Sequence, residues 1–310
     1  MTPEERMASL SKLPFEEIGT PAEGARGFWA QTRLILKNRG MLGLFVKRDL
    51  KSRYKDSALG FAWTLVKPLT QIMIYYLVIG QFLGAERGIP QFAIYIFTGL
   101  TAYGLFSEIV MGGTASILGN AGLVKKVYLP RELFPLAAVG GALFNFLIQL
   151  GILLIATLLV GAFPISPGMA YFLPSLIVLL LYSTALALLL SALNVYLRDV
   201  QYLVEVIIMV MMWASPILYS WKMVADKLVN HQWIVDIYTN NPITLAVLGF
   251  QRSFWMAGKP VPGVPAADQL AQYPADLALR LMIAGVIGCV CVYLAQRVFA
   301  RLQGNFAQML

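Results

Sequence analysis

No Asp, Glu, Lys, Arg or His occurs anywhere from residue 133 to residue 197, a run of 65 positions. The hydrocarbon core of a bilayer takes roughly 20 apolar helical residues to cross. A run of this length therefore suits two crossings and a turn. The turn is visible as the uncharged Gly/Pro cluster GAFPISPG at 161–168. Arg131 and Glu132 flank the run on one side, Arg198 and Asp199 on the other. Two crossings bring the chain back to its starting side, so both charged flanks share a compartment. The positive-inside rule makes that compartment the cytoplasm.

The rest of the chain agrees. Of 310 residues, 58% are hydrophobic and 13% charged, against about 25% charged in a soluble domain. A multi-span α-helical membrane protein follows. The formal net charge of +8 reflects basic cytoplasmic loops and attraction to anionic lipid rather than nucleic-acid binding. Cys289 and Cys291 lie two positions apart in an apolar run, about 200° around a helix, and cannot pair. His231 has no second His or Cys near it in sequence, so no metal site is expected. No apolar core follows Met1 within 25 residues, so no signal peptide is expected and the chain should start in the cytoplasm.

Along the chain, residues 1–27 read as a polar cytoplasmic tail and residues 28–57 as a basic amphipathic helix lying in the membrane interface. There Lys47, Arg48, Lys51 and Lys55 fall on one side, and Leu42, Phe45, Val46, Leu50 and Tyr54 on the other. Asp49 and Arg53 break the apolar side; their i, i+4 spacing lets them neutralise each other. Spans are expected over about 60–84, 91–117, two within 133–197, 200–219 and 277–299. Residues 243–258 are apolar apart from Arg252 but short for a crossing. Asn241 and Pro242 before them give a preferred N-cap and a proline at the first helical position. A re-entrant or interfacial element on the outer face is expected; a seventh span is the alternative. With six spans, 18 of the 24 Lys and Arg lie on the cytoplasmic side, which puts both termini inside.

The chain has no G-x-x-x-x-G-K-[ST] phosphate loop, no Ser-His-Asp set and no cluster of metal ligands. It is therefore not expected to be an enzyme. A gradient-driven transporter needs acidic groups within its spans, and only Glu108 and Glu205 qualify. Both read as structural partners or groups near a helix end.

Five motifs in order carry a resemblance. RDLKSRYKDSALGFAW at 48–63, followed by Lys67-Pro68, resembles the start of the permeases of ABC-type polysaccharide exporters. NAGLVKKVYLPRE at 120–132, YLRD at 196–199, SPILY at 215–219 and NPI at 241–243 resemble further motifs of that family. The departures are Leu197, where an aromatic is usual, and Leu129, often Phe.

The resemblance implies a six-span, all-α half-transporter over 58–310, of the type-2 ABC class, with 28–57 as its gate helix. It implies a homodimer with two ATPase subunits, which hold ATP and Mg; this chain needs no cofactor. The substrate implied is a lipid-linked polysaccharide of the cell envelope (O-antigen, capsule or teichoic acid) crossing the cytoplasmic membrane. Arg48, Lys51, Arg53, Lys55 and Lys67 are then candidates for its pyrophosphate head. Tyr75, Tyr76 and Tyr219 are candidates for stacking on sugars. Tyr103, Trp213 and Trp221 are weaker ones, since Trp and Tyr also mark membrane interfaces. Asn120, Leu123, Lys125, Lys126, Tyr128, Pro130 and Arg131 would form the coupling element that docks on the ATPase. A type-2 ABC drug or lipid exporter is the alternative within transport. A membrane-embedded glycosyl- or lipid-modifying enzyme is the alternative outside it, though the outer loops offer it only Asp226, Asp236, Asp268 and Asp276.

Overall fold

A computed structural model describes residues 24–54, 62–84, 89–126, 129–255, 273–274 and 276–310. Among them every regular element is helical. Two helices precede the bundle, α1 (Gly24–Lys37) and α2 (Arg39–Tyr54). The amphipathic stretch expected as one unit is thus broken at Asn38, whose side-chain amide donates to the Leu34 carbonyl at 2.8 Å. Helix α3 (Trp63–Tyr75) widens into a π-helical segment, Tyr76–Phe82. Then come α4 (Phe92–Gly119), the short α5 (Ala121–Lys126) and α6 (Leu133–Leu159). A 3₁₀ turn (Pro167–Tyr171) leads into α7 (Phe172–Tyr196), followed by α8 (Val200–Trp213). Helices α9 (Trp221–Lys227), α10 (Gln232–Asn240) and α11 (Pro242–Phe254) precede α12 (Leu277–Leu302). A 3₁₀ turn (Gln303–Asn305) and α13 (Phe306–Met309) end the chain.

Five of these helical segments are long and apolar enough to cross a membrane: 63–82, 92–119, 133–159, 167–196 and 277–305. The span expected at 200–219 is helical only through Trp213. Its 14 residues reach about 21 Å, short of a hydrocarbon core of about 30 Å. Pro216 explains the stop: it brings no N–H and pushes Ser215 out of the helical region. The carbonyl of Pro216 instead accepts from the Tyr95 hydroxyl at 2.9 Å and from Gln251 Nε2 at 2.6 Å.

Helix α4 is the axis of the fold. It is buried along most of its length and packs on α6, α7, α8 and α11. Close approach to α7 depends on Gly113, where an added Cβ would sit 2.9 Å from the Ala187 Cα. The fully buried Asn194 on α7 donates through its Nδ2 to the Thr114 carbonyl at 3.0 Å, joining the two helices.

Helix α11 is buried at 11 of its 13 positions. Asn241 caps it, accepting from the Ile243 amide at 3.0 Å. Phe250 packs edge-on against Phe146 and Phe172. Its two ends contact the same end of the bundle. Asn240, just before it, accepts from Arg280 in the first turn of α12 at 2.7 Å. Trp255, just after it, donates to the Pro90 carbonyl before α4 at 2.8 Å. Arg252 lies 4.2 Å over the Tyr171 ring, and Ser253 donates to the Gly168 carbonyl at 3.1 Å, so the helix also grips the 161–171 turn. Residues 256–258, the end of the apolar stretch read from sequence, lie outside the described residues.

By contrast, α3 and its π-helical end bury only Gly80, and α8 buries only Val204 and Ile208. Their other faces carry exposed Met73, Ile74, Val78, Tyr202, Val206, Met209 and Trp213.

Candidate functional site

Parts of three of the five motifs, those at 48–63, 120–132 and 196–199, meet at the end of the bundle opposite α11, while 215–219 and 241–243 lie at α11 itself. Helix α2 lies against α6, with Phe45 stacked on Phe134 at 5.3 Å between ring centres. Lys47, Arg48 and Lys51 are on its exposed side, as the wheel predicts. The pairing of Asp49 with Arg53 expected from spacing falls outside the described residues, as do the side chain of Tyr54 and all of Lys55. Arg48 holds Asp49 at 2.6 Å. The same guanidinium donates to Asn120 Oδ1 at 2.7 Å, and Asn120 in turn caps the Ser116 carbonyl at 2.8 Å. The first two motifs are thereby joined by one arginine. Beside it a cleft of about 470 Å³ opens, bounded by Arg48, Asp49, Ser52, Ser116, Asn120 and Gly141.

Helix α5 follows directly. Val124 is buried and Leu123 half-buried in a core shared with Phe45, Ile117, Leu133 and Phe306. Lys125 and Lys126 are exposed, so the helix has an anchored apolar side and a free cationic one. Tyr128 lies outside the described residues. The Pro130 carbonyl accepts from the Leu133 amide at 3.1 Å and starts α6. Arg131 lies 5.7 Å over the ring of Phe306, which the C-terminal segment folds back beneath it. Tyr196 fixes that segment through its hydroxyl, which donates to the Leu302 carbonyl at 2.8 Å.

Glu132, a charged flank of the apolar run and the last residue of the 120–132 motif, is fully buried here. Its Oε1 accepts from Gln31 on α1 at 2.9 Å, across 101 residues of chain. Burial raises its carboxyl above the ordinary range, against the opposing effects of Gln31 and Arg131. An acid raised in this way contributes stability that is present at low pH and lost as pH climbs through its folded value. Glu132→Gln keeps a carbonyl oxygen for Gln31 and removes the charge. The variant is expected to melt higher than wild type at pH 8 and to differ little at pH 5. Thermal unfolding of purified protein at both values checks this; a larger gain at pH 5 than at pH 8 contradicts it.

The other sites read from sequence are not gathered here. Lys67 and Pro68 sit on α3 beside Glu108, Asn145 and Gln149. Tyr75 is half-buried against the central core, and Tyr76 accepts from Gln81 at 3.0 Å. The hydroxyl of Tyr219 donates to the Trp213 carbonyl at 2.6 Å. Tyr103 donates to the Ile208 carbonyl and Trp221 to Thr239. Glu108 accepts from Asn145 at 2.6 Å, a structural pairing as expected; Glu205 is exposed on α8. Tyr95, Gln251 and Trp255, which tie α11 to the end of α4, carried no motif. They sit mid-run among apolar neighbours, and only their partners reveal them.

Five membrane-length helices, with a basic helix and a short helix exposing two lysines at one end, make this a multi-pass membrane protein. A family model for the ABC-2 type transporter matches residues 42–255, and the chain belongs to that family. Such permeases carry no ATPase domain and work with a partner ATPase subunit. Among relatives, an O-antigen export system permease protein RfbA of Myxococcus xanthus is 29% identical over 223 residues, 72% of this chain and 83% of that protein. A protein of the same name from Klebsiella pneumoniae is 28% identical over 215 residues, 69% of this chain and 80% of that one.

Proposed function

We propose that this chain is the transmembrane subunit of an ATP-driven exporter that moves a lipid-linked cell-envelope polysaccharide of O-antigen type across the cytoplasmic membrane. The observation that carries this reading is the match to O-antigen export permeases over more than two thirds of this chain and of each relative. Teichoic acid and capsule are the related substrates to compare.

In this reading both termini are cytoplasmic and the chain makes six crossings. Helix α8 completes the fifth together with the 214–219 segment. Helix α11 is a re-entrant element on the outer face, supported by the contacts of both its ends with one end of the bundle. Residues 1–27 are the cytoplasmic tail, 28–57 the gate-helix region and 58–310 the transmembrane domain. Two copies pair, each offering the sparsely buried α3 and α8. Two ATPase subunits, holding ATP and Mg, dock on Asn120 to Arg131. Arg48 orders the mouth through Asp49 and Asn120, while Lys51, Arg53 and Lys55 offer charge to a pyrophosphate head; Lys67, the fifth cation read from sequence, shares its groove with Glu108 instead. Tyr75, Tyr76 and Tyr219 flank the route of the sugars.

The test is export itself. Cells lacking this chain are expected to lose surface polysaccharide and to accumulate the lipid-linked polymer inside; re-expression restores display. Arg53→Ala is expected to lower export about tenfold or more, since a charge-assisted phosphate contact is worth about 1.5–3 kcal/mol, with the assembled complex intact. Arg53→Lys restores it only in part, lacking the two-pronged guanidinium. Undiminished surface polysaccharide in cells without the chain sinks the reading.

A further inference from the structure

Between α3, α4 and α6 runs a groove of about 610 Å³ that lies within membrane-length helices, yet six of the eight residues lining it have polar side chains, set among apolar surface. On α3, Thr64, Lys67 and Gln71 share a face at i, i+3, i+7 spacing, with the Trp63 indole at its end. On α6, Asn145 and Gln149 stand one turn apart, and α4 contributes Glu108. Asn145 lies 12 residues into α6, which at 1.5 Å each is about 18 Å from the helix start and near mid-bilayer. Gly104 on α4 lies beside Gln149, where a Cβ would stand in ordinary contact, 3.5 Å from its Oε1. Ionisable side chains at this depth are costly; they are paired, as Glu108 is with Asn145 at 2.6 Å, and mark substrate paths.

The composition of the lining selects the ligand. Amides both donate and accept, a carboxylate accepts, an ammonium donates, and an indole offers a flat apolar face. That is the complement of a neutral polyhydroxyl chain, whose hydroxyls need both kinds of partner and whose C–H faces are weakly apolar. A pyrophosphate group finds one ammonium beside a carboxylate, without net attraction. A divalent cation finds one carboxylate, already bonded to Asn145, and a lysine. An acyl chain would strand the amides. The volume falls within the range of about 300–1,000 Å³ of small-molecule sites, room for a short stretch of sugar units.

We propose that this groove is a subsite for the hydroxyl groups of an uncharged segment of the transported sugar chain. The proposal rests on the export reading above and adds where the sugars are held. Gln71→Cys and Gln149→Cys, made singly in a chain lacking Cys289 and Cys291, test it in complex with the ATPase. The probe is a small charged methanethiosulfonate, applied to membranes open on both sides. The membranes come from cells that make the polysaccharide and from cells blocked in its synthesis. Both cysteines are expected to react without polymer, and at least fivefold more slowly with it. Ile155→Cys, on an exposed apolar face of α6, is expected to react slowly in both. Equal rates at 71 and 149 with and without polymer, or no reaction at either, overturn the subsite. Gln71 is exposed, so its variant decides alone if the other does not accumulate. Surface polysaccharide is measured in the same cells: loss of the subsite with export intact leaves the function standing, and display without this chain removes both.

Discussion

Gly249→Val is expected to leave no stably folded permease, and Gly249→Ala a strongly destabilised one. A Cβ at this position in α11 would lie 2.9 Å from the Ser175 Cβ and closer still to its hydroxyl. The clash falls where α11 meets α7, among fully buried neighbours on both sides. Overpacking a rigid core costs about 1–3 kcal/mol and sometimes more, and a β-branched residue belongs at the upper end. Ser175 itself donates only to Tyr171 in its own chain segment, at 2.7 Å, so it can be shortened at small cost. The double variant Gly249→Ala with Ser175→Gly is therefore expected to recover most of the loss. Thermal unfolding in detergent reads both results, with Gly43→Ala as a control, since nothing stands within 4 Å of a Cβ there. A Gly249→Ala protein that melts with wild type would mean that α11 does not seat on α7 as described.

Reversing the charge of α5 is the second large effect. Lys125→Glu with Lys126→Glu is expected to cut ATPase capture and export by at least tenfold, with the permease itself folded and membrane-inserted. The helix is anchored by Val124 and Leu123 and exposes both lysines. In the proposed orientation they meet the ATPase, and like-charge juxtaposition at an interface costs several kcal/mol. Arg131 is left in place because its contact with Phe306 is internal; reversing it would confound docking with folding. Lys227→Glu, on the exposed side of α9, serves as the control. Capture by immobilised ATPase subunit and the amount of surface polymer are the two readouts. Normal values for both would show that these charges are not part of the contact.

Patterning and motif order made much of this legible. The charge-free run at 133–197 resolved into α6 and α7 around the 161–168 turn, because apolar helices of that length have no other way to satisfy their backbone in a membrane. On α2, Lys47, Arg48 and Lys51 are exposed and Phe45 is buried, in line with the wheel at those positions, and the helical start at Asn241-Pro242 was readable from cap chemistry alone. The order of five short motifs named the family that the family model then matched.

What sequence could not supply was everything that depends on one helix meeting another. Arg48 holds Asp49 and at the same time reaches Asn120, 72 residues away, a partner that no local spacing reveals. Glu132 reads as a charged flank and the end of a motif until folding buries it against Gln31. The polar groove is invisible as a unit, since Gln71, Glu108 and Gln149 are isolated exceptions in three apolar segments. Helix α8 stops at Trp213 ahead of Pro216, whose carbonyl finds its donors on α4 and α11. Local periodicity and hydropathy fix which segments enter the membrane, because each residue's transfer out of water is its own property. Partners across the bundle are set by packing, and only the tertiary structure decides them.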